Sequence, residues 1–402
     1  MSNNKPIRRI AIIGTGVIGA SWTSLYLAKG LQVVATDIAP NAEAALRKFV
    51  EAAWPALKRL GLSPGASQSN LEFSAALEQA VGGVDLVQEN GPERLNVKHS
   101  AVLGGYAAAL AGDMEVVTAL TFPHTRHPMD LAAYGATLGQ LATGGFTLGL
   151  GRGPNHQWDA WGMPRPSMAV LEDCAGVLRT LWRGGTVSDH DGPLGRFPGR
   201  LSLGVELESP PRLALGALGP RTQELAGRAF DDLILHSHWT DEAVTRSVAL
   251  ARRAAERAGR DPDALRVWAM LVTACDQPEE QILARVVRRM TTYLQWPSYG
   301  ELIVAANGWD PAVLRRLREH PLLADRMADT ASFSTEELRR LAEVYPEHWL
   351  RDGAAIGDAA HCAERAARQL DAGANRVILH GNAPADLVGV LSAFRNPVAA
   401  GG

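Results

Sequence analysis

The stretch TRHPMDLAAYGATLGQLATGGFTLGLGRG, Thr125 to Gly153, decides the fold. It reads as a helix from Pro128 to Leu141, a strand from Phe146 to Gly151, and a Gly-Arg-Gly loop. The strand is continuously apolar rather than alternating, as a strand covered on both faces must be. The same grammar repeats downstream. LGALGPRTQELAGRAFDDLILH, Leu215 to His236, ends one strand (Arg212 to Ala217), adds a helix (Arg221 to Phe230) and makes a second strand (Asp232 to His236).

Working outward, the spacing predicts a helix over Val97 to Ala111 and a strand over Glu115 to Phe122. Further helices are expected over Ser167 to Trp182 and Asp241 to Gly259, with a strand at Val267 to Ala274. A polar, glycine-rich excursion separates Gly184 from Gly204. A long helical insertion runs from Pro278 to about Arg351, followed by a strand at Arg376 to His380 and a helix at Pro384 to Phe394. Repeated βα units imply a parallel sheet under helices, and so long a series favours a closed (β/α)8 barrel.

In such a barrel the functional groups lie where strands end. The strand ends here carry Thr121-Phe122-Pro123-His124, Gly151-Arg152-Gly153-Pro154-Asn155-His156, Gly219-Pro220-Arg221-Thr222, His236-Ser237-His238-Trp239 and His380-Gly381-Asn382. Glycine lets a flat ring approach the backbone; arginine and helix N-termini hold anions. His156 and His236 are candidate proton partners. His124 and His127 flank a helix start and could serve as caps, and Trp158, Trp161 and Trp239 could line an apolar slot or pack the rim.

The two quoted strings resemble the luciferase-like monooxygenase superfamily, and within it the coenzyme F420-dependent oxidoreductases, over about residues 93–394. That resemblance implies a (β/α)8 body. It implies a flavin or deazaflavin ring near Thr121, Phe122, Gly151 and Arg152, in contact with Gly219, Pro220, Arg221 and Thr222. It also implies a non-proline cis peptide near Leu120 to Phe122.

The N-terminus has a different grammar. Ile10 to Ile13 is an apolar strand, Gly14-Thr15-Gly16-Val17-Ile18-Gly19 is a GxGxxG turn, and a helical run follows to Gly30. A strand, Gln32 to Thr36, then ends in Asp37. Gly14 permits the tight turn, Gly16 the approach of a pyrophosphate, and Gly19 close packing of helix on strand. Asp37 stands where an acid meets the adenosine ribose of NAD. A helix follows from Asn41 to Leu60, with Phe49, Trp54 and Leu57 on its apolar face. With VQENGPER, these residues resemble the NAD-binding start of 3-hydroxyacyl-CoA dehydrogenases, closest to the carnitine dehydrogenase branch, over about residues 7–93. The resemblance implies NAD-type binding geometry only, because the HxFNPP catalytic motif has no counterpart.

The expected organisation is thus a partial Rossmann βαβ segment over residues 1–92 and a barrel domain over 93–402, its helical insertion at about 278–351. Closing eight strands would require Val84 to Glu89 as the second barrel strand, and Ile10 to Ile13 or Val33 to Thr36 as the first. That conflicts with the nucleotide fold, so a truncated segment of two or three strands is expected to bind NAD weakly or not at all.

Composition fits a globular enzyme. The 402 residues are 46% hydrophobic and 21% charged, with a net charge of -3. No basic field invites nucleic acid or membrane surfaces. No apolar run approaches the roughly 20 residues of a membrane span, and no secretion signal is evident, so a cytoplasmic location is expected. Cys174, Cys275 and Cys362 form neither a disulfide framework nor a zinc pattern, and no metal is expected. The expected function is hydride transfer between F420 or FMN and a small organic substrate. An NAD-dependent 3-hydroxyacyl-CoA or carnitine-type dehydrogenase and an inactive chimera remain as alternatives. Whether the chain forms a homodimer is left open.

Overall fold

The computed structural model describes residues 7–37, 41–74, 76–89, 111–324, 330–382 and 384–395. The boundary expected between residues 92 and 93, and nearly all of the helix expected at Val97 to Ala111, lie outside the described residues. The chain divides into two compact units, Met1–Leu103 and Gly104–Gly402.

In the first unit β1 (Arg9–Ile13), β2 (Gln32–Thr36), β3 (Leu71–Phe73) and β4 (Leu86–Glu89) form one parallel sheet in the order β3-β2-β1-β4. Ile10, Ile12, Val33 and Ala35 are buried, and Leu27, Leu46, Val50 and Trp54 from the helices Val17–Ala28 and Ala42–Leu60 join them in one apolar cluster. The first helix stops at Gly30, where φ is 79° and an added Cβ would lie 2.4 Å from the Pro64 carbonyl oxygen. Only glycine fits that turn.

Two expectations are corrected here. The segment has four strands rather than two or three. And Val84 to Glu89 does not serve as the second barrel strand: Ile10 pairs with Leu86 and Ile12 with Gln88, so β4 lies beside β1. A strand has two edges, and those of β1 are taken by β2 and β4.

In the second unit the sheet is built from β5 (Val116–Val117), β6 (Phe146–Leu150), β9 (Arg212–Ala217), β10 (Asp232–Ser237), β11 (Arg266–Cys275), β12 (Ala354–Gly357) and β13 (Arg376–His380). All pair in parallel in the order β12-β11-β10-β9-β6-β5, with β13 also on β11. This is the curled sheet of a (β/α)8-type body. Leu148, Leu150, Leu213, Leu215, Leu233 and Val267 are fully buried along it.

The polar excursion is an antiparallel hairpin, β7 (Val187–Gly192) with β8 (Gly195–Leu201). The insertion is helical as expected. Before β13, however, the structure adds β12 and the helix Ala359–Asp371, neither of which the sequence reading found.

At the strand starts a charge network ties the sheet. Asp232 is fully buried and accepts from Arg212, Arg266 and the Trp268 indole, while Arg266 also reaches Glu115 at 2.6 Å. Each buried charge is paired, which is the condition for tolerating it.

Candidate active site

The end of β5 is irregular. The Gly149 N–H donates to Thr118 Oγ1 at 2.9 Å instead of to a backbone carbonyl, and the Ala119–Leu120 peptide is cis. The resemblance had implied such a bond one residue later. Pairing resumes at Thr121, which donates to the Gly149 carbonyl at 2.7 Å and accepts from Gly151 at 3.0 Å. Leu120 between them lies over β6 and β9. A Cβ added at Gly151 would come within 2.5 Å of Leu120 Cδ1, and one at Gly216 within 2.1 Å. These glycines therefore make room for Leu120, which remains 38% exposed.

Beside it Phe122 meets the edges of Trp158 and Trp161 at 5.4 and 6.2 Å. The buried Trp158 indole donates to the Arg152 carbonyl. The Arg152 side chain is held by Nε, which donates to the Pro166 carbonyl at 2.8 Å. His124 bonds the Pro164 carbonyl at 3.0 Å, and His127 caps the helix Pro128–Leu141 through the Met129 N–H.

Gly219 caps the helix Pro220–Ala229, its carbonyl accepting from the Thr222 and Gln223 N–H groups. Arg221 is exposed in the first turn of that helix. The fragments expected to meet a ring and its tail thus split into two groups. Thr121, Phe122, Gly151 and Arg152 are interlocked. Gly219, Pro220, Arg221 and Thr222 form the helix start after β9.

The insertion brings groups the sequence reading missed. His156 stacks on Trp296 with centroids 3.4 Å apart and planes 11° apart, and burial lowers its pKa against the opposing effect of Asp159. His236, at the end of β10, meets Tyr293 at 4.4 Å and Tyr299 at 5.3 Å. Its Nδ1 donates to the Ser237 carbonyl at 3.0 Å, which puts the proton on Nδ1 and the lone pair on Nε2. Burial pushes the His236 imidazole down to about 4, with His380 and Arg289 adding to the shift.

His380, at the end of β13, accepts from Arg289 at 2.8 Å and is pushed down to about 4 by burial and by Arg289. His238 is buried at φ 65° and pushed down to about 3, chiefly by burial. The insertion's Arg289, Tyr293, Trp296 and Tyr299 carried one signal, a basic and aromatic run from Arg288 to Tyr299. A helix of that composition reads equally as a solvated face.

In the first unit Gly14 turns at φ 82° and donates to the Thr36 carbonyl at 2.8 Å. Gly16 is exposed, and a Cβ there would meet nothing within 4 Å. Gly19 is buried. Asp37 Oδ2 accepts from the Thr15 backbone N–H at 2.6 Å and hydroxyl at 2.9 Å, so one carboxylate oxygen shapes the turn itself. Among the described residues no set of His, Cys, Asp and Glu is arranged for a metal, and no helix is long and apolar enough to cross a membrane.

The profile of luciferase-like monooxygenases matches residues 64–376, more than half of the chain. The chain belongs to the luciferase-like monooxygenase family. Membership brings the oxidoreductase class with it. A second profile, the NAD-binding domain of 3-hydroxyacyl-CoA dehydrogenase, matches residues 9–107. An L-carnitine dehydrogenase of Streptomyces griseus is 41% identical over 138 residues, 34% of this chain; the chain spans 40% of that relative's length.

Among solved structures, a coenzyme F420-dependent tetrahydromethanopterin reductase from Methanopyrus kandleri superposes with a TM-score of 0.60 at 15% identity, over 97% of both chains. An F420-dependent secondary alcohol dehydrogenase superposes at 0.54 and 14% identity, over 97% of this chain and 98% of that one. These likenesses establish the fold of this luciferase-like chain.

Proposed function

We propose that this chain binds a deazaflavin or flavin at the ends of β5, β6 and β9 and catalyses hydride transfer to or from a small organic substrate. The observation that carries the reading is Leu120, seated over Gly151 and Gly216 and exposed at the sheet's C-terminal end. With Phe122 and the partly exposed Trp161 it offers an apolar face to a planar ring. Arg152 beside it and Arg221 at a helix N-terminus suit the anionic tail. Deazaflavin is preferred because the two superposing proteins named above are F420-dependent.

When bound, the ring carries the hydride. The protein's part is to orient the substrate and handle the proton. His236 is the favoured proton partner. Its Nε2 lone pair is uncommitted by the Ser237 bond, and at neutral pH the ring is unprotonated. As an alcohol loses hydride from its carbon, Nε2 takes the hydroxyl proton; in reduction the same proton returns. His156 is the second candidate, with one ring face covered by Trp296. On this reading residues 93–402 are the barrel domain and residues 1–92 a dinucleotide-binding-like segment.

The test is the absorbance of the purified protein with F420, FMN and NADH added in turn. A saturable perturbation of the F420 band, weaker for FMN, is expected. Saturable binding of NADH with neither ring binding would replace this reading with the NAD-dependent dehydrogenase.

A further inference from the structure

Arg289 and Tyr293 stand four residues apart on the helix Arg288–Leu294, so both project from one face. Tyr293 meets the ring of His236, and Arg289 meets Nε2 of His380. One helix therefore bridges the ends of β10 and β13. Arg285, a turn earlier, is neutralised by Asp386 at 3.1 Å. Arg289 is not. Among the described residues it pairs with no carboxylate, and its Nε has no hydrogen-bond partner.

Its companions are imidazoles held neutral. Because Arg289 donates to His380 Nε2, that ring cannot also be protonated there, and a neutral ring cannot cancel the guanidinium charge. His238 is 1% exposed; its ring faces the Gly353 backbone, but neither ring nitrogen reaches hydrogen-bond geometry with any partner. Buried polar groups are satisfied as a rule, and an unpaired one calls for an explanation. One bound oxyanion answers both wants: it supplies negative charge to Arg289 and an acceptor to an imidazole N–H.

We propose that Arg289, with His380 and His238, forms the subsite that receives an oxyanion of the substrate, a carboxylate in the first place. The proposal rests on the strand ends being the active site, and it names the substrate class for that site. A short hydroxy or oxo acid anchored at Arg289 would present its neighbouring carbon to His236, which the same helix touches through Tyr293. The other source of an oxyanion is the phosphate of the cofactor tail, which the reading above assigns to Arg152 and Arg221.

The full-length chain, labelled at histidine imidazoles, is titrated with acetate, pyruvate and inorganic phosphate and followed by NMR; F420 affinity is measured separately by fluorescence. Saturable shifts of imidazole signals with the carboxylates are expected. Arg289→Gln should weaken them about tenfold or more, Arg289→Lys less, with F420 affinity kept within about twofold. The proposal is overturned if neither acetate nor pyruvate gives a saturable shift in the unmodified chain, a response to phosphate alone included. It is also overturned if R289Q binds them as tightly, or if R289Q weakens F420 instead, which would make Arg289 a cofactor contact. Should R289Q fail to fold, R289K and the unmodified chain still decide. Failure of F420 to bind would sink the cofactor reading while leaving the carboxylate titration to be judged by itself.

Discussion

At the scale of single residues the strand ends are marked by imidazoles that stay neutral. Those of His236 and His380 lie at about 4, and that of His238 at about 3. A histidine in the unfolded chain titrates near 6.5, so each folded value is depressed. Between that value and the folded pKa the unfolded chain binds the proton and the folded chain does not. Stability is therefore full above pH 6.5 and falls as the pH drops towards 4. The melting temperature should decline steeply between pH 6.5 and 4.5. His238→Asn should flatten the decline: asparagine does not titrate there and accepts the φ of 65° at this position. Superimposable profiles for the variant and the unmodified chain would mean that His238 is not buried neutral.

At the scale of elements, the end of β6 shows why two glycines on the same face, two residues apart, are not equivalent. A Cβ at Gly149 would lie 2.0 Å from the Thr118 carbonyl oxygen, a backbone atom of the neighbouring segment. A Cβ at Gly151 would meet Leu120 side-chain atoms only, Cδ1 at 2.5 Å and, less severely, Cβ at 3.3 Å and Cγ at 3.4 Å. Backbone must separate in the first case, whereas a rotamer can turn in the second. Gly149→Ala should therefore cost about 2 kcal/mol or more of stability, read from the urea midpoint. Gly151→Ala should cost well under half of that yet weaken F420 binding, because Leu120 is displaced. Equal loss of stability in the two variants would refute the distinction.

β6 was also legible in the sequence, because FTLGL is apolar but for Thr147 and follows a pair of glycines. β12 was not: Ala354 to Gly357 is four small or apolar residues directly after a helix, too short to show a period. The hairpin β7–β8 was hidden because both strands are polar, as a two-stranded ribbon with little buried surface can be. His156 and His236 stood out from the sequence because they follow strands. Arg289 did not, because the role proposed for it depends on a helix from the insertion crossing two strand ends that lie 91 residues or fewer away along the chain.

At the scale of the whole molecule, the two family profiles overlap over residues 64–107, and that stretch can be read in either grammar. The structure assigns its described strands to one side: β3 pairs with β2 and β4 with β1. The first unit consequently owns four strands and a separate apolar cluster, more than a vestigial turn would need. It also keeps the open ground over Gly16 that a pyrophosphate requires. Among the described residues no further strand joins this sheet, and β5 opens the other one.

Half a site should bind half a ligand. NADH is expected to bind through its adenosine diphosphate half, with a Kd of about 0.1 mM or weaker. Gly16→Val is the discriminating variant. Nothing lies within 4 Å of the added Cβ, so the fold should be retained, while the valine fills the space the pyrophosphate would occupy. Equilibrium titration with NADH, on this variant and the unmodified chain, settles the matter. Micromolar affinity abolished by the valine would make the first unit a working nucleotide site. It would also restore the dehydrogenase alternative that the absent histidine motif argues against.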